Sequence, residues 1–174
     1  MSLAFKAMQF ARKVHKEQKR KYTGNPYTDH LAEVAGIVAA VTYWDQIDPE
    51  VLVATAWLHD CIEDQGVTMH QLHGVLQGCS LSGIDHVVRG VVLLSDMEVG
   101  NRAERKAASR ARLADAPGWV QTIKCADLIS NTSSIVMHDP KFAVTYLAEK
   151  RALLEVLTKA DQRLHALASQ MAKP

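Results

Sequence analysis

The sequence predicts an all-α fold, a bundle of about eight helices forming one domain over residues 1–174. Three observations predict it. Apolar residues recur at three- and four-residue spacing in most segments, no stretch alternates as a half-buried strand would, and capping residues with Gly or Pro punctuate the intervals. A chain of 174 residues, 48% of them hydrophobic, can bury roughly 70% of its unfolded surface and enclose a pocket.

The elements follow in order. Leu3, Phe5, Met8, Phe10, Ala11 and Val14 give residues 3–20 a helical face, ending in a basic cluster before the turn at Gly24 and Pro26. Thr28 or Asp29 is placed to cap a helix over 30–44, and Asp48 with Pro49 opens another over 49–64. The linker Asp45-Gln46-Ile47-Asp48 separates them. A short helix starts after Thr68, another covers 82–95, and a basic one runs from Asn101 to Ala114 before Pro117-Gly118. Helices over 119–137 and 140–171, the last opened by Asp139-Pro140, complete the chain.

Charge and cysteine usage exclude several classes. A formal net charge of +1 leaves no general nucleic-acid footprint, although basic residues bunch at Arg12–Lys21 and Arg102–Arg112. Such local clusters suit a phosphate-rich small molecule better than a polymer. Cys61, Cys79 and Cys125 lack CxxC or CxxH spacing, so they read as reduced thiols rather than a disulfide framework or zinc finger. No apolar run has the length of a membrane span or the form of a leader, and the expected location is the cytoplasm.

The chemistry is concentrated in Trp57-Leu58-His59-Asp60-Cys61-Ile62-Glu63-Asp64. A mostly apolar helix that carries an imidazole and three carboxylates within six residues needs a cation, because unpaired buried charge is costly. Compatible ligands stand elsewhere. His30 falls in the first turn of its helix, and Asp127 interrupts an apolar face in Ile123-Lys124-Cys125-Ala126-Asp127. His30, His59, Asp60 and Asp127 make a set of two imidazoles and two carboxylates, suited to one divalent ion, manganese first, with iron, cobalt or zinc as alternatives. At the helix C-terminus, Glu63 and Asp64 oppose the dipole, which speaks against a purely structural placement.

At these spacings the chain resembles the HD phosphohydrolase superfamily, and within it the hydrolase domains of RelA/SpoT proteins and their stand-alone small alarmone hydrolases. The resemblance rests on Gly24-Asn25-Pro26-Tyr27-Thr28-Asp29-His30, on His59-Asp60-Cys61-Ile62-Glu63-Asp64 and on Lys124-Cys125-Ala126-Asp127 with Asn131 four residues on. It spans roughly residues 5–135. It implies one divalent metal on His30, His59, Asp60 and Asp127, and a role for Glu63 and Asp64 in orienting or deprotonating water. It also implies substrate binding by Arg20, Lys21, Lys124 and Asn131, with Asn131 facing the nucleoside. Tyr146 reads as a core tyrosine rather than a pocket wall.

Three positions depart from the resembled pattern. Leu31 replaces a proline after the first histidine, Leu128 an arginine after the Ala-Asp pair, and Ser130 a histidine before the asparagine. Metal ligands are untouched, so the departures bear on substrate rather than on catalysis. The implied activity is metal-dependent removal of the 3′-pyrophosphate from guanosine tetra- or pentaphosphate (ppGpp or pppGpp). Its alternatives are hydrolysis of another nucleotide or of NADPH, and a non-catalytic ligand sensor. No synthetase, TGS or ACT region is expected within these residues, and the partner expected is a small nucleotide.

Overall fold

The computed structural model describes residues 1–41 and 47–173. Among them are ten helices and no strand beyond an isolated bridge between Lys19 and Pro26. The all-α expectation holds. The second helix, expected to reach residue 44, ends at Ala39 with a turn at residues 40 and 41, and residues 42–44 with Asp45 and Gln46 of the linker lie outside the described residues.

Two compact units account for the chain, Met1–Arg20 with Gly24–Ser95 and Lys21–Thr23 with Asp96–Pro174. The first contains α1 (Leu3–Val14), α2 (Tyr27–Ala39), α3 (Pro49–Leu58), α4 (Cys61–Gln65), α5 (Met69–Leu76) and α6 (Leu81–Leu94). Its centre is α3, where Val51, Leu52, Ala54, Thr55, Ala56, Trp57 and Leu58 are all buried. A helix apolar on every side must be surrounded, and α1, α2 and α6 pack around it. Asp48 caps α3 by accepting from the Glu50 amide, with Pro49 in the first turn as the sequence predicts.

The expected helix over 49–64 is broken. Residues 59 and 60 form a turn, and α4 restarts at Cys61. No Gly or Pro marks the break. Its cause lies in side chains: His59 Nδ1 bonds the Ala56 carbonyl at 2.8 Å, taking an acceptor that the helix ladder would use. Glu63 and Asp64 consequently sit in the first turn of a five-residue helix, not at a C-terminus, and the dipole there favours them. Gly66, at φ 63°, ends α4 in the left-handed region.

Further corrections concern caps and ends. Pro26, not Thr28 or Asp29, occupies the N-cap of α2, and no side chain closes that cap. Asp29 remains in the first turn, and so does the placement of His30. α1 stops at Val14, short of the basic cluster, because His15 is buried and the following residues fold back through Tyr27 N to Gln18 O and Arg20 N to Asn25 O.

The second unit contains α7 (Arg102–Asp115), α8 (Gly118–His138), α9 (Pro140–Leu154) and α10 (Gln162–Met171). α8 is its axis, packed by α9 and α10. Asn101 and Glu104 close α7 with a capping box, and Asp139 caps α9 ahead of Pro140. The expected single helix over 140–171 is two, which brings the total to ten rather than about eight. α8 itself causes the interruption: Gln121 Oε1 accepts the Lys159 amide at 2.8 Å and Thr122 Oγ1 the Asp161 amide at 2.9 Å. Asp161 then caps α10. The backbones approach so closely that a Cβ on Gly118 would lie 2.4 Å from Lys159 O.

Candidate functional site

In the first unit the α2 start and the α3–α4 break bring His30, His59 and Asp60 together. His59 Nε2 lies 2.9 Å and His30 Nε2 3.6 Å from the same Asp60 oxygen, Oδ2. The two imidazole rings meet edge to face, with centroids 5.4 Å apart. Both histidines are almost wholly buried, at 0% and 2% exposure.

The His59 tautomer follows from its other nitrogen. With Nδ1–H donating to Ala56 O, a neutral ring points the Nε2 lone pair at a carboxylate oxygen. Two acceptors at that distance repel each other unless a cation stands with them. Two imidazole nitrogens and a carboxylate oxygen form a donor set that suits a divalent transition metal, and the residues present therefore fit one. The alternative to a cation is protonated imidazoles: burial pushes the Asp60 carboxyl upward, and the charges and hydrogen bonds of protonated His59 and His30 would hold it well below the usual carboxylate range.

A second set of contacts supports this trio. The Tyr27 hydroxyl donates to Asp60 Oδ2 at 2.6 Å, and the Tyr27 ring stacks on His15 at 5.3 Å. His15 Nδ1 meets Gln18 Oε1 at 2.5 Å, and Gln18 Nε2 donates to Asp64 Oδ2 at 2.8 Å. Both Glu63 and Asp64 are exposed. Sequence reasoning gave Tyr27 and Gln18 no role, although Tyr27 lies within the motif that places His30 and Gln18 shortly before it. The signal was Tyr27, an aromatic hydroxyl three residues ahead of a ligand on one helical face. Cys61 is buried, and burial with Asp60 and Asp64 nearby pushes its thiol far up, which keeps it protonated.

Arg20 pairs with Glu33 at 3.2 Å, while Lys21 lies over the Tyr22 ring at 4.9 Å.

In the second unit Asp127 is 7% exposed on α8, and both its oxygens are held. Lys124 Nζ donates to Oδ2 at 2.9 Å and Asn131 Nδ2 to Oδ1 at 2.6 Å. A carboxylate oxygen so engaged keeps a second lone pair for a metal, and His30, His59 and Asp127 each offer one buried ligand atom. Lys124 and Asn131, expected at the substrate, thus orient a carboxylate as well.

Both also line a cavity of about 140 Å³ in this unit, with Asp96, Arg102, Lys106, Asp127, Tyr146 and Lys150 among its walls. Tyr146 is therefore a pocket residue, against the sequence reading. Its hydroxyl lies 3.2 Å from Thr132 Oγ1, and burial pushes its pKa up to about 12. Asp96 is pushed up by burial but held well below the usual range by Lys124 and by hydrogen bonds from Lys106 and Ser109. Burial drives Lys150 down to about 8 against the pull of Asp127 and Cys125.

An HD domain family model matches residues 7–117. A probable guanosine-3′,5′-bis(diphosphate) 3′-pyrophosphohydrolase from Synechocystis sp. is 28% identical over 142 residues, 80% of this chain and 17% of that protein. A probable GTP pyrophosphokinase from Mycobacterium leprae is 30% identical over 165 residues, 94% of this chain and 19% of that protein. The chain thus spans less than a fifth of the length of either relative. A solved structure described as a metazoan ortholog of SpoT that hydrolyses ppGpp and plays a role in starvation responses shares the fold. Its TM-score is 0.82 at 20% identity, covering 98% of this chain and 94% of that one.

Proposed function

The chain belongs to the HD domain family, and from that premise we propose that it is a metal-dependent pyrophosphohydrolase. Its proposed substrates are guanosine 3′,5′-bis(diphosphate) and the corresponding pentaphosphate. The observation that carries a hydrolytic reading is the convergence of His59 Nε2 and His30 Nε2 on one Asp60 oxygen. The substrate rests on the activities of the relatives and on the motif resemblance.

His30, His59 and Asp60 hold the ion, with Asp127 as the fourth ligand on the strength of the KxADxxxN spacing. Manganese is the ion proposed. When bound, a divalent ion supplies the Lewis acidity that activates water and a phosphoryl group. Tyr27 fixes the Asp60 carboxylate, and Lys124 and Asn131 fix Asp127. Glu63 or Asp64 takes the proton from the attacking water, with Gln18 holding Asp64 in position. The water oxygen bonds to the first phosphorus of the 3′-diphosphate, the bond from that phosphorus to the ribose 3′-oxygen breaks, and the 3′-oxygen takes a proton from solvent while the carboxylic acid at Glu63 or Asp64 returns its own to solvent. Pyrophosphate and GDP or GTP result. Arg20 and Lys21 supply fixed positive charge to the diphosphate, where it stabilises the transition state.

Incubation of the protein and Mn²⁺ with alarmones, ordinary nucleotides and NADPH, followed by product chromatography, tests this reading. Intact pyrophosphate with GDP or GTP is the expected result. Orthophosphate release, or turnover confined to other nucleotides, would overturn the substrate assignment.

A further inference from the structure

Lys150, on α9, is buried to 2% exposure, yet among the described residues no carboxylate forms an ion pair with it. The acids around the same cavity are engaged elsewhere: Asp96 by Lys106 and Arg112, Glu149 by Arg102, and Asp127 by Lys124. Among the described residues the ammonium has two acceptors, Thr132 Oγ1 at 2.5 Å and Leu128 O at 3.3 Å. An ammonium carries three N–H donors. The remaining one belongs to a side chain that lines the cavity.

The acceptors are themselves fixed. Thr132 Oγ1 gives its proton to Leu128 O and so presents lone pairs to Lys150 and to the Tyr146 hydroxyl. Tyr146 is tethered by that contact and by the Phe142 ring, 6.3 Å away centre to centre. The cavity therefore offers an aromatic face, two leucine side chains in Leu128 and Leu153, and one buried cationic donor. At about 140 Å³ it is well below the roughly 300–1,000 Å³ that holds a whole drug-sized ligand. It has the scale of a single ring system. Asp127 stands in the same wall, so a nucleotide with phosphates at Asp127 would extend its base toward Lys150.

A buried ammonium with a donor to spare selects for acceptors. Guanine offers O6 and N7 side by side, whereas adenine sets the N6 amino group, another donor, beside N7. An aromatic ring accepts either base equally, because each has a π face. We propose that Lys150 reads the base of the nucleotide and confers selectivity for guanine over adenine. This rests on the pyrophosphohydrolase reading above for its substrate.

The test measures kcat/KM for guanosine 3′,5′-bis(diphosphate) and for its adenosine counterpart, with wild-type protein, Lys150→Met and Lys150→Gln, folding being checked by circular dichroism. Wild type should prefer the guanosine compound, and Lys150→Met should lower the guanosine-to-adenosine ratio at least tenfold. Lys150→Gln, whose amide both donates and accepts, should bring the ratio toward unity even if the methionine variant does not fold. An equal loss for both substrates, as for a lysine serving a shared phosphate or the fold, overturns the inference while leaving the activity standing. If wild type cleaves neither compound, the pyrophosphohydrolase reading fails by itself. Calorimetric binding of GDP and ADP then decides the inference: a preference for GDP that the variants lose upholds it, and no preference overturns it.

Discussion

The Asp60 carboxylate oxygen meets two imidazoles and a phenol. Removing the oxygen and removing the phenol should have different effects. Asp60→Ala should abolish stoichiometric metal, measured by elemental analysis after gel filtration, and full retention by a folded variant would rule Asp60 out as a ligand. Tyr27→Phe deletes a supporting hydrogen bond only, so metal should bind with affinity weakened about 10- to 100-fold. Glu63 and Asp64 differ again. Glu63→Gln or Asp64→Asn should keep the metal and lower kcat on the order of 10²-fold, since such a group acts mainly in the transition state. Near-native turnover in both would remove the pair from the mechanism. Lys150 gives a pH signature. Its pKa falls from 10.5 in the unfolded chain to about 8 in the folded one, so between these values the unfolded chain binds more protons and stability rises with pH. Wild type should therefore gain stability relative to Lys150→Met from pH 8 to 10.5, and lose it as pH falls through that window. Urea titrations across the range will show a flat difference if the lysine is not desolvated.

Helix starts were legible where chemistry is local. Asp48-Pro49, Thr68 and Asp139-Pro140 each open a helix where the sequence places one, and the capping boxes of Thr68 with Gln71 and Asn101 with Glu104 satisfy amides from within a few residues. Two breaks were illegible for the opposite reason. That at 59–60 depends on an imidazole turning back to Ala56, and that after Leu154 on polar side chains of α8, over 30 residues away, that capture amides at Lys159 and Asp161. The same contrast divides the site. The proposed ligands show through as charge in apolar surroundings, whereas the roles proposed for Tyr27, Gln18 and Lys150 come from three-dimensional neighbours. The α8 junction offers a direct check. Gly118→Ala would drive a methyl group onto Lys159 O, and the overpacking should cost about 1–3 kcal/mol. Thermal unfolding of that variant should shift down by several degrees, and an unchanged midpoint would mean that the segment after Leu154 yields freely.

Across the chain, the metal is expected to act on folding as well as on chemistry. The donors proposed for it come from sequence positions as far apart as 30 and 127, and a ligand that binds only the folded state stabilises it by mass action. Mn²⁺ at about 100 times its Kd should add about 2.7 kcal/mol, seen as a raised thermal midpoint that EDTA reverses and Asp60→Ala lacks. No comparable rise with metal would place the donors outside a common centre. The near-neutral charge of +1 makes this shift easy to read, because bulk ionic effects on the fold are small.

The five-residue α4 has one more consequence. A helix that short does not hold itself together in water, so its order is borrowed from Gln18, from the Gly66 turn and from the burial of its own first residue, Cys61. Hydrogen exchange should find its amides among the least protected in the first unit, opening without the loss of α3. Each opening would carry Glu63 and Asp64 away from the reacting water while leaving His30 and His59 in place. Warming would then silence the proposed activity before the chain unfolds or sheds a bound ion, and turnover would follow the fraying of a single helical turn.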